Sequence, residues 1–380
     1  MWMWLIILGT TLLLAGGSLF YLISRFKKIS YTEKFSHGKK GRRILLAVLP
    51  VFLIVSLSIL TMDLTNMMII VIILSIIWLL CDLIAAIVRR IRRSHGGAGV
   101  YPAGICALVL TALYFILGWF FAHQVFETDY VLYSDKVQEP LRIVLFADAH
   151  MGTTFDGEKF AKWMQKINET EPDAVVIAGD LVDDSTTYEE MRDCCRALSG
   201  LDTKYGVFYA YGNHDKGYSS GSRGYGYSEL ETELKDNGVV ILQDAVYDLN
   251  DTCTLIGRAD ASVGRSNGGY ETGGREEMRA LLAQVSSDRY TIVLDHQPND
   301  YANEAAAGAD LVLSGHTHGG QLIPITKVGE WIGANDATYG YERRENTDFI
   351  VTSGISAWSI LFKTGCKSEY VVIDILPGEG

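Results

Sequence analysis

The chain has 380 residues, 48% of them hydrophobic, and a net charge of −12, which leaves room for a membrane part and one large domain. The charge is divided: residues 1 to 127 carry 12 Lys and Arg against 4 Asp and Glu, and residues 128 to 380 carry 21 against 41. So acidic a second half argues against nonspecific nucleic-acid binding, which needs a basic surface to displace counterions from phosphates.

Four apolar runs come first, at residues 2 to 24, about 44 to 61, about 67 to 88 and about 104 to 124. Each approaches or exceeds the ~20 residues that cross a bilayer as helix, so residues 1 to 127 are expected to form a four-helix transmembrane region. The first run has no basic residue ahead of it and is too long for a signal-peptide core, so it is expected to be retained. Arg25, Lys27, Lys28, Lys34, Lys39, Lys40, Arg42 and Arg43 lie between the first two runs, and Arg89, Arg90, Arg92 and Arg93 between the last two. By the positive-inside rule both loops are cytoplasmic. Four crossings then set the N-terminus and everything after the fourth helix on the extracytoplasmic face of a plasma (bacterial inner) membrane. Asp82 is the one acidic residue well inside an apolar run; about two turns from Arg89 and Arg90, it is expected to snorkel toward water.

A linker is expected over 128–141 and a single domain over 142–380. Strand 142–147 precedes a helix at about 157–169, capped by Asp156 with Phe160, Trp163, Met164 and Ile167 on one face. Strand 174–178 and a helix at about 187–199 follow, then strand 206–211, a Gly/Tyr/Ser loop at 217–227 and a helix at about 228–236. Short strands near 239–242, 246–249 and 253–257 lead to a glycine-rich loop at 264–274 and a helix at about 275–284. Strands 290–295 and 310–313 flank a short helix near 299–306, and strands 348–352 and 369–375 close the chain. The mixture predicts an α/β sandwich rather than a plain doubly wound sheet.

Five strand ends carry polar residues that can hold metal: Asp148 and His150; Gly179-Asp180; Gly212-Asn213-His214-Asp215; Asp295-His296; and Gly315-His316-Thr317-His318. In open α/β folds, sites collect beyond the carboxyl ends of strands, so one cleft can gather all five. In the last of these, alternate strand-like positions would project His316 and His318 to the same side. Asp148, Asp180, Asn213, His150, His296, His316 and His318 are too many ligands for one ion and about right for two. Oxygen and imidazole donors without thiolate suit Mn, Fe, Zn or a related divalent ion. Two such ions roughly 3.5 to 4 Å apart can share a hydroxide and clamp a phosphoryl group for in-line attack, which is hydrolysis of a phosphate ester or anhydride.

The ordered series from Asp148 to Gly315-His316-Thr317-His318 resembles the calcineurin-like metallophosphoesterase superfamily, over about residues 140 to 376. The continuation Gly319-Gly320-Gln321 resembles its membrane-attached bacterial subgroup, which includes transmembrane metallophosphoesterases and relatives of UDP-2,3-diacylglucosamine pyrophosphohydrolase. The resemblance implies a four-layer αββα sandwich and a dinuclear centre. Asp148, His150 and His318 would bind one ion, Asn213, His296 and His316 the other, and Asp180 would bridge them. His214 would contact the substrate phosphate and protonate the leaving oxygen, oriented by Asp215.

The remaining signals have blander readings. No CxxC spacing occurs, and Cys194-Cys195 is expected to pack rather than react, with a disulfide to Cys253 or Cys366 left open. Arg223 and Arg265, in the glycine-rich loops, are candidates for phosphate contact or plain solvated residues. Trp331, Trp358 and Phe362 could touch membrane or a lipid tail, but core packing is the expected role of each. The function expected is a membrane-anchored phosphoesterase acting on an envelope or lipid-linked phosphate, with membrane lipids as surroundings. The alternatives are the pyrophosphohydrolase of lipid A synthesis, whose nucleotide substrate is cytoplasmic, and a sensor or scaffold with a non-catalytic metal site.

Overall fold

The computed structural model describes residues 2–92, 101–216, 223–262 and 274–378, and the chain divides into two units, Met1–Leu117 and Gly118–Gly380. The division falls ten residues before the expected boundary at 127, inside a helix.

The first unit holds α1 (Trp2–Phe26), α2 (Ser30–Ser36), α3 (Lys40–Thr61), α4 (Leu64–Ile91) and most of α5 (Pro102–His123). Among the described residues α3, α4 and α5 are long and apolar enough to cross a membrane, three helices where four were expected. α1 does form over the first apolar run as a helix of 25 residues. Leu22, Val71 and Trp78 are buried while Leu13, Phe20, Leu60 and Ile91 point outward. Large apolar side chains on the outside are costly in water and suit helices solvated by hydrocarbon.

Asp82 departs from expectation. It does not reach past the helix end but pairs with Arg25 at 3.1 Å and accepts a hydrogen bond from the Tyr101 hydroxyl, which in turn accepts from Trp78 Nε1 at 3.0 Å. Ionisable side chains held between apolar helices pair with one another in this way.

In the second unit, β1 (Val125–Ser134) is separated from α5 by the single residue Gln124. Residues 128–134, expected in a linker, pair in parallel with β12 (Ser368–Pro377) along its whole length, from Val125 opposite Ser368 to Ser134 opposite Pro377. β1 is an edge strand with one wet face, and its Glu127, Thr128 and Asp129 hide the strand signal. Thr128 donates to Glu369 at 2.6 Å, and Glu127 accepts from Tyr370 at 2.7 Å.

The first sheet runs β1, β12, β2 (Leu141–Phe146), β3 (Ala174–Ala178), β4 (Gly206–Ala210), β5 (Val239–Leu242). The second runs β10 (Gly340–Arg344), β11 (Thr347–Val351), β9 (Leu311–Ser314), β8 (Tyr290–Leu294), β7 (Cys253–Gly257), β6 (Ala245–Asp248). β2 to β5 are mutually parallel, as are β7, β8, β9 and β11. Alternation along the strands builds the layers. Ile143, Leu145, Val176 and Phe208 meet Leu255, Ile292, Leu294 and Leu313 between the two sheets. Val144, Phe146, Val175 and Ile177 face the other way, onto Phe160, Met164 and Ile167 of α6 (Gly157–Asn168), Met191 and Cys195 of α7 (Tyr188–Leu198) and Leu230 of α8 (Tyr227–Asp236). Val293, Val312 and Phe349 pack on Met278 and Leu281 of α9 (Met278–Leu282) and Tyr301 of α10 (Tyr301–Ala307). The order of layers is helix, sheet, sheet, helix. All six cysteines are free, and Cys194, Cys195 and Cys253 are buried, so no disulfide crosses these layers.

Candidate metal centre

The parallel strands of both sheets point their carboxyl ends the same way, and the loops leaving β2, β3, β4, β8 and β9 meet there. They do so with unusual backbone. Asp148, His150, Asp180, His316 and His318 all have positive φ, from 37° to 71°, a conformation that costs a non-glycine residue about 1 kcal/mol or more. Gly179, at φ 84°, has no room for a side chain: a Cβ there would lie 2.5 Å from Gly212 N and 2.6 Å from His296 Nδ1. The strain is held by bonds. The His316 N–H is shared by the two Asp148 carboxylate oxygens at 3.0 and 2.9 Å, and the His214 N–H donates to Asp180 Oδ1 at 2.8 Å.

Two groups of ligand atoms result. Asp148, His150 and His318 each offer one atom within 4.8 Å of the others, and Asp180, His296 and His316 do the same. Asp180 Oδ2 stands 3.1 Å from His296 Nε2 and 3.7 Å from His150 Nε2, so one carboxylate faces both groups. Asn213 Oδ1 lies 3.1 Å from His296 Nε2, which brings in the seventh residue. His296 Nδ1 is engaged by the Ala178 carbonyl at 2.6 Å, which turns Nε2 inward toward the oxygens.

The electrostatics fit a cation. Burial pushes the Asp148 carboxyl up to about 6, with Asp180 adding repulsion. At Asp180 burial also pushes upward, but His296, His214 and His150 together hold the group well below the usual carboxylate range. Burial, then proximity to His296, lowers His316 to about 4. Burial and His150 lower His318 well below an ordinary imidazole. His316 and His318 are thereby held in the neutral form that binds metal, whereas His150 and His296 are pushed upward, against their burial, by the carboxylates of Asp183 and Asp180, and each would give up a proton to a bound cation.

Residues 141–320 match the model for calcineurin-like phosphoesterases. This segment is a calcineurin-like phosphoesterase domain. The chain is 29% identical over 244 residues to an uncharacterized metallophosphoesterase of Campylobacter jejuni, covering 63% of this chain and 60% of that protein. It is 30% identical over 285 residues to a transmembrane protein with metallophosphoesterase domain from Danio rerio, covering 72% and 62%. A Helicobacter pylori metallophosphoesterase is 28% identical over 256 residues, covering 65% and 62%. The chain thus spans about three fifths of the length of these relatives.

Several residues of the phosphoesterase domain depart from their expected parts. His316 and His318 do not project together as alternate strand positions, because β9 ends at Ser314 and the backbone turns left-handed at both. They join different ligand groups. The Asp215 carboxylate is taken up by backbone N–H groups of Asp180, Leu181, Val182 and Gly212. Its bonds brace two ligand loops, where orientation of the His214 ring was expected. Arg223 is buried and donates to the carbonyls of Asp215 and Tyr225, so it clamps backbone instead of lining a rim. Arg265 lies outside the described residues.

Three supports carry no clear signal in the sequence. Asp183 Oδ2 lies 3.3 Å from His150 Nδ1, at ion-pair distance on the far side of that ring. Asp295, the neighbour of His296, is held at 2.9 Å by both Arg258 and Arg275. Trp358, expected in the core, sets its ring 4.8 Å from His214 and 5.7 Å from His150.

Proposed function

We propose that the chain is a membrane-anchored, metal-dependent phosphoesterase hydrolysing a phosphoester or phosphoanhydride of an envelope or lipid-linked substrate. The observation that carries this reading is the Asp180 carboxylate facing two groups of ligand atoms at once. In this reading Asp148, His150 and His318 hold one divalent ion, Asn213, His296 and His316 the other, and Asp180 is shared. Two such ions supply Lewis-acid polarisation of the phosphoryl oxygens and a water of lowered pKa.

The protein's own share of the chemistry falls to His214. Burial lowers its pKa, so the ring is mostly neutral at pH 7 before substrate arrives. A phosphate anion beside it raises the pKa again and stabilises the imidazolium, which can then give its proton to the leaving oxygen. General acid help of this kind contributes roughly 10² to 10⁴ in rate. Trp358 walls the same side and limits water.

The charge of the loops supports an extracytoplasmic domain and α1 as a fourth span. That orientation disfavours a cytoplasmic nucleotide substrate, and with it the pyrophosphohydrolase of lipid A synthesis. The test is hydrolysis of bis-p-nitrophenyl phosphate and p-nitrophenyl phosphate by the full chain, stripped of metal and then supplied with manganese, iron or zinc. Turnover that returns with metal supports the reading, and the ratio of rates sorts diesterase from monoesterase. Two bound ions without turnover of either compound would move the protein toward a non-catalytic sensor.

A further inference from the structure

Just past the metal-site turn, residues 323–332 present an apolar surface that the domain leaves uncovered. Ile323 is 53% exposed, Ile325 52%, Trp331 71% and Ile332 59%. The backbone beneath them is held. The Ile325 N–H donates to Leu322 O at 2.9 Å and Val328 to Ile325 at 3.1 Å, and in the short helix α11 (Val328–Trp331) Trp331 donates to Lys327 at 3.0 Å. Four large apolar side chains aimed outward from a fixed backbone mark an interaction surface rather than scattered exposure. Lys327 and Glu330, between them, pair with each other at 3.3 Å.

The neighbouring chain indicates what covers this surface. The Ile323 N–H donates to Thr364 Oγ1 at 3.2 Å, and the N–H groups of Thr364 and Gly365 donate to Gln321 O at 2.7 and 2.9 Å. The same loop is fastened to the first residue of the unit: the Lys363 N–H donates to Gly118 O at 2.9 Å. The approach is close enough that a Cβ on Gly118 would lie 2.8 Å from Thr364 Cγ2. Gly118 belongs to α5, a helix apolar and long enough to cross a membrane. Beyond it Trp119 and Phe120 are exposed, and Trp119 stacks on His123 at 4.2 Å. Aromatic residues gather in this way where a helix leaves a bilayer. The apolar strip is therefore tied to the end of a membrane helix.

The strip is also tied to the metal centre. Gln321, three residues after His318, donates through Nε2 to Trp358 O at 3.2 Å, and the Trp358 ring packs against His214. A path of hydrogen bonds and ring contact thus runs from the exposed isoleucines to the residues of the candidate metal centre.

We propose that residues 323–332 are a membrane-docking surface whose occupant is the boundary between headgroups and acyl chains of the bilayer. Trp331 and Ile332 seat among the lipids, and the metal centre receives its phosphate from an amphiphile that stays in the membrane. The substrate half of this inference rests on the phosphoesterase reading; the docking half does not.

The test uses the full chain reconstituted in liposomes. The emission of Trp331 is taken as the difference between the wild type and Trp331→Phe, in phosphatidylcholine with and without bromine on the acyl chains. Docking predicts that bromolipid reduces this difference at least twofold; equal emission in the two lipids overturns the proposal. A matched pair of esters then reads function: hexadecyl p-nitrophenyl phosphate in the bilayer and methyl p-nitrophenyl phosphate in water share one scissile bond. The wild type should favour the hexadecyl ester at least tenfold in kcat/KM. Trp331→Ser/Ile332→Ser should lose that preference while keeping its rate on the methyl ester. Equal rates of the wild type on both esters, or a preference untouched by the double substitution, overturn the substrate claim. Quenching of Trp331 with neither ester hydrolysed supports the docking surface and removes the phosphoesterase reading instead.

Discussion

The carboxylate of Asp215 accepts the backbone N–H of Asp180 at 2.8 Å. The same carboxylate takes the N–H groups of Leu181 and Gly212, so the loops after β3 and β4 share one buried acceptor. Asp215→Asn turns an amide NH2 toward some of these donors. Buried donors left unpaired cost about 1–3 kcal/mol each, so we predict a melting temperature lower by several degrees and weaker metal binding, read by thermal unfolding and metal titration. Unchanged stability and affinity would mean that the loops hold their shape without this brace.

Loss of His214 separates chemistry from metal binding. His214→Ala is predicted to retain the wild-type metal content and to lose roughly 10² to 10⁴ in turnover of the better p-nitrophenyl ester. A variant that lost an ion would show that His214 serves the metal sites directly.

Gly179 is the tightest point of the site. Gly179→Ala must place a methyl group against Gly212 N and His296 Nδ1 and must hold φ near 84°. The backbone term alone costs about 1 kcal/mol. Displacing the ring that turns Nε2 inward is predicted to lower metal affinity 10- to 100-fold, measurable by competition with a chelator. Wild-type affinity in this variant would contradict the packing described.

Arg25 and Asp82 are predicted to be coupled. Removing Asp82 alone leaves Arg25 without its carboxylate among apolar helices, whereas removing both takes away the need for a partner. A double-mutant cycle of Asp82→Ala and Arg25→Leu in detergent should give a coupling of about 1–3 kcal/mol. Additive losses would count against the pair.

The site was legible in the sequence because each ligand follows a run of apolar strand residues, as in Val175-Val176-Ile177-Ala178-Gly179-Asp180, and parallel strands can only bring such ends together. β3, β5 and β7 fall where their patterns set them. β1 and β10 were hidden because edge strands carry charges, Glu127 and Asp129 in one, Glu342, Arg343 and Arg344 in the other. The division of His316 and His318 between two ligand groups depends on left-handed turns that strand periodicity does not encode. Asp183 had no signal beyond a carboxylate near a ligand, and Trp331 looks like a core residue until the chain around it is folded. The sequence pairs Asp82 with no partner because Arg25 lies 57 positions earlier in the chain.

The central claim is that Asp180 is shared by two ions, and metal content of the full-length variants tests it most directly. Wild type, His318→Ala and Asp180→Ala would be loaded with manganese, desalted and analysed for metal per chain by mass spectrometry. The account predicts that His318→Ala weakens one site and leaves the other filled, while Asp180→Ala empties both. Two ions retained by Asp180→Ala would contradict it.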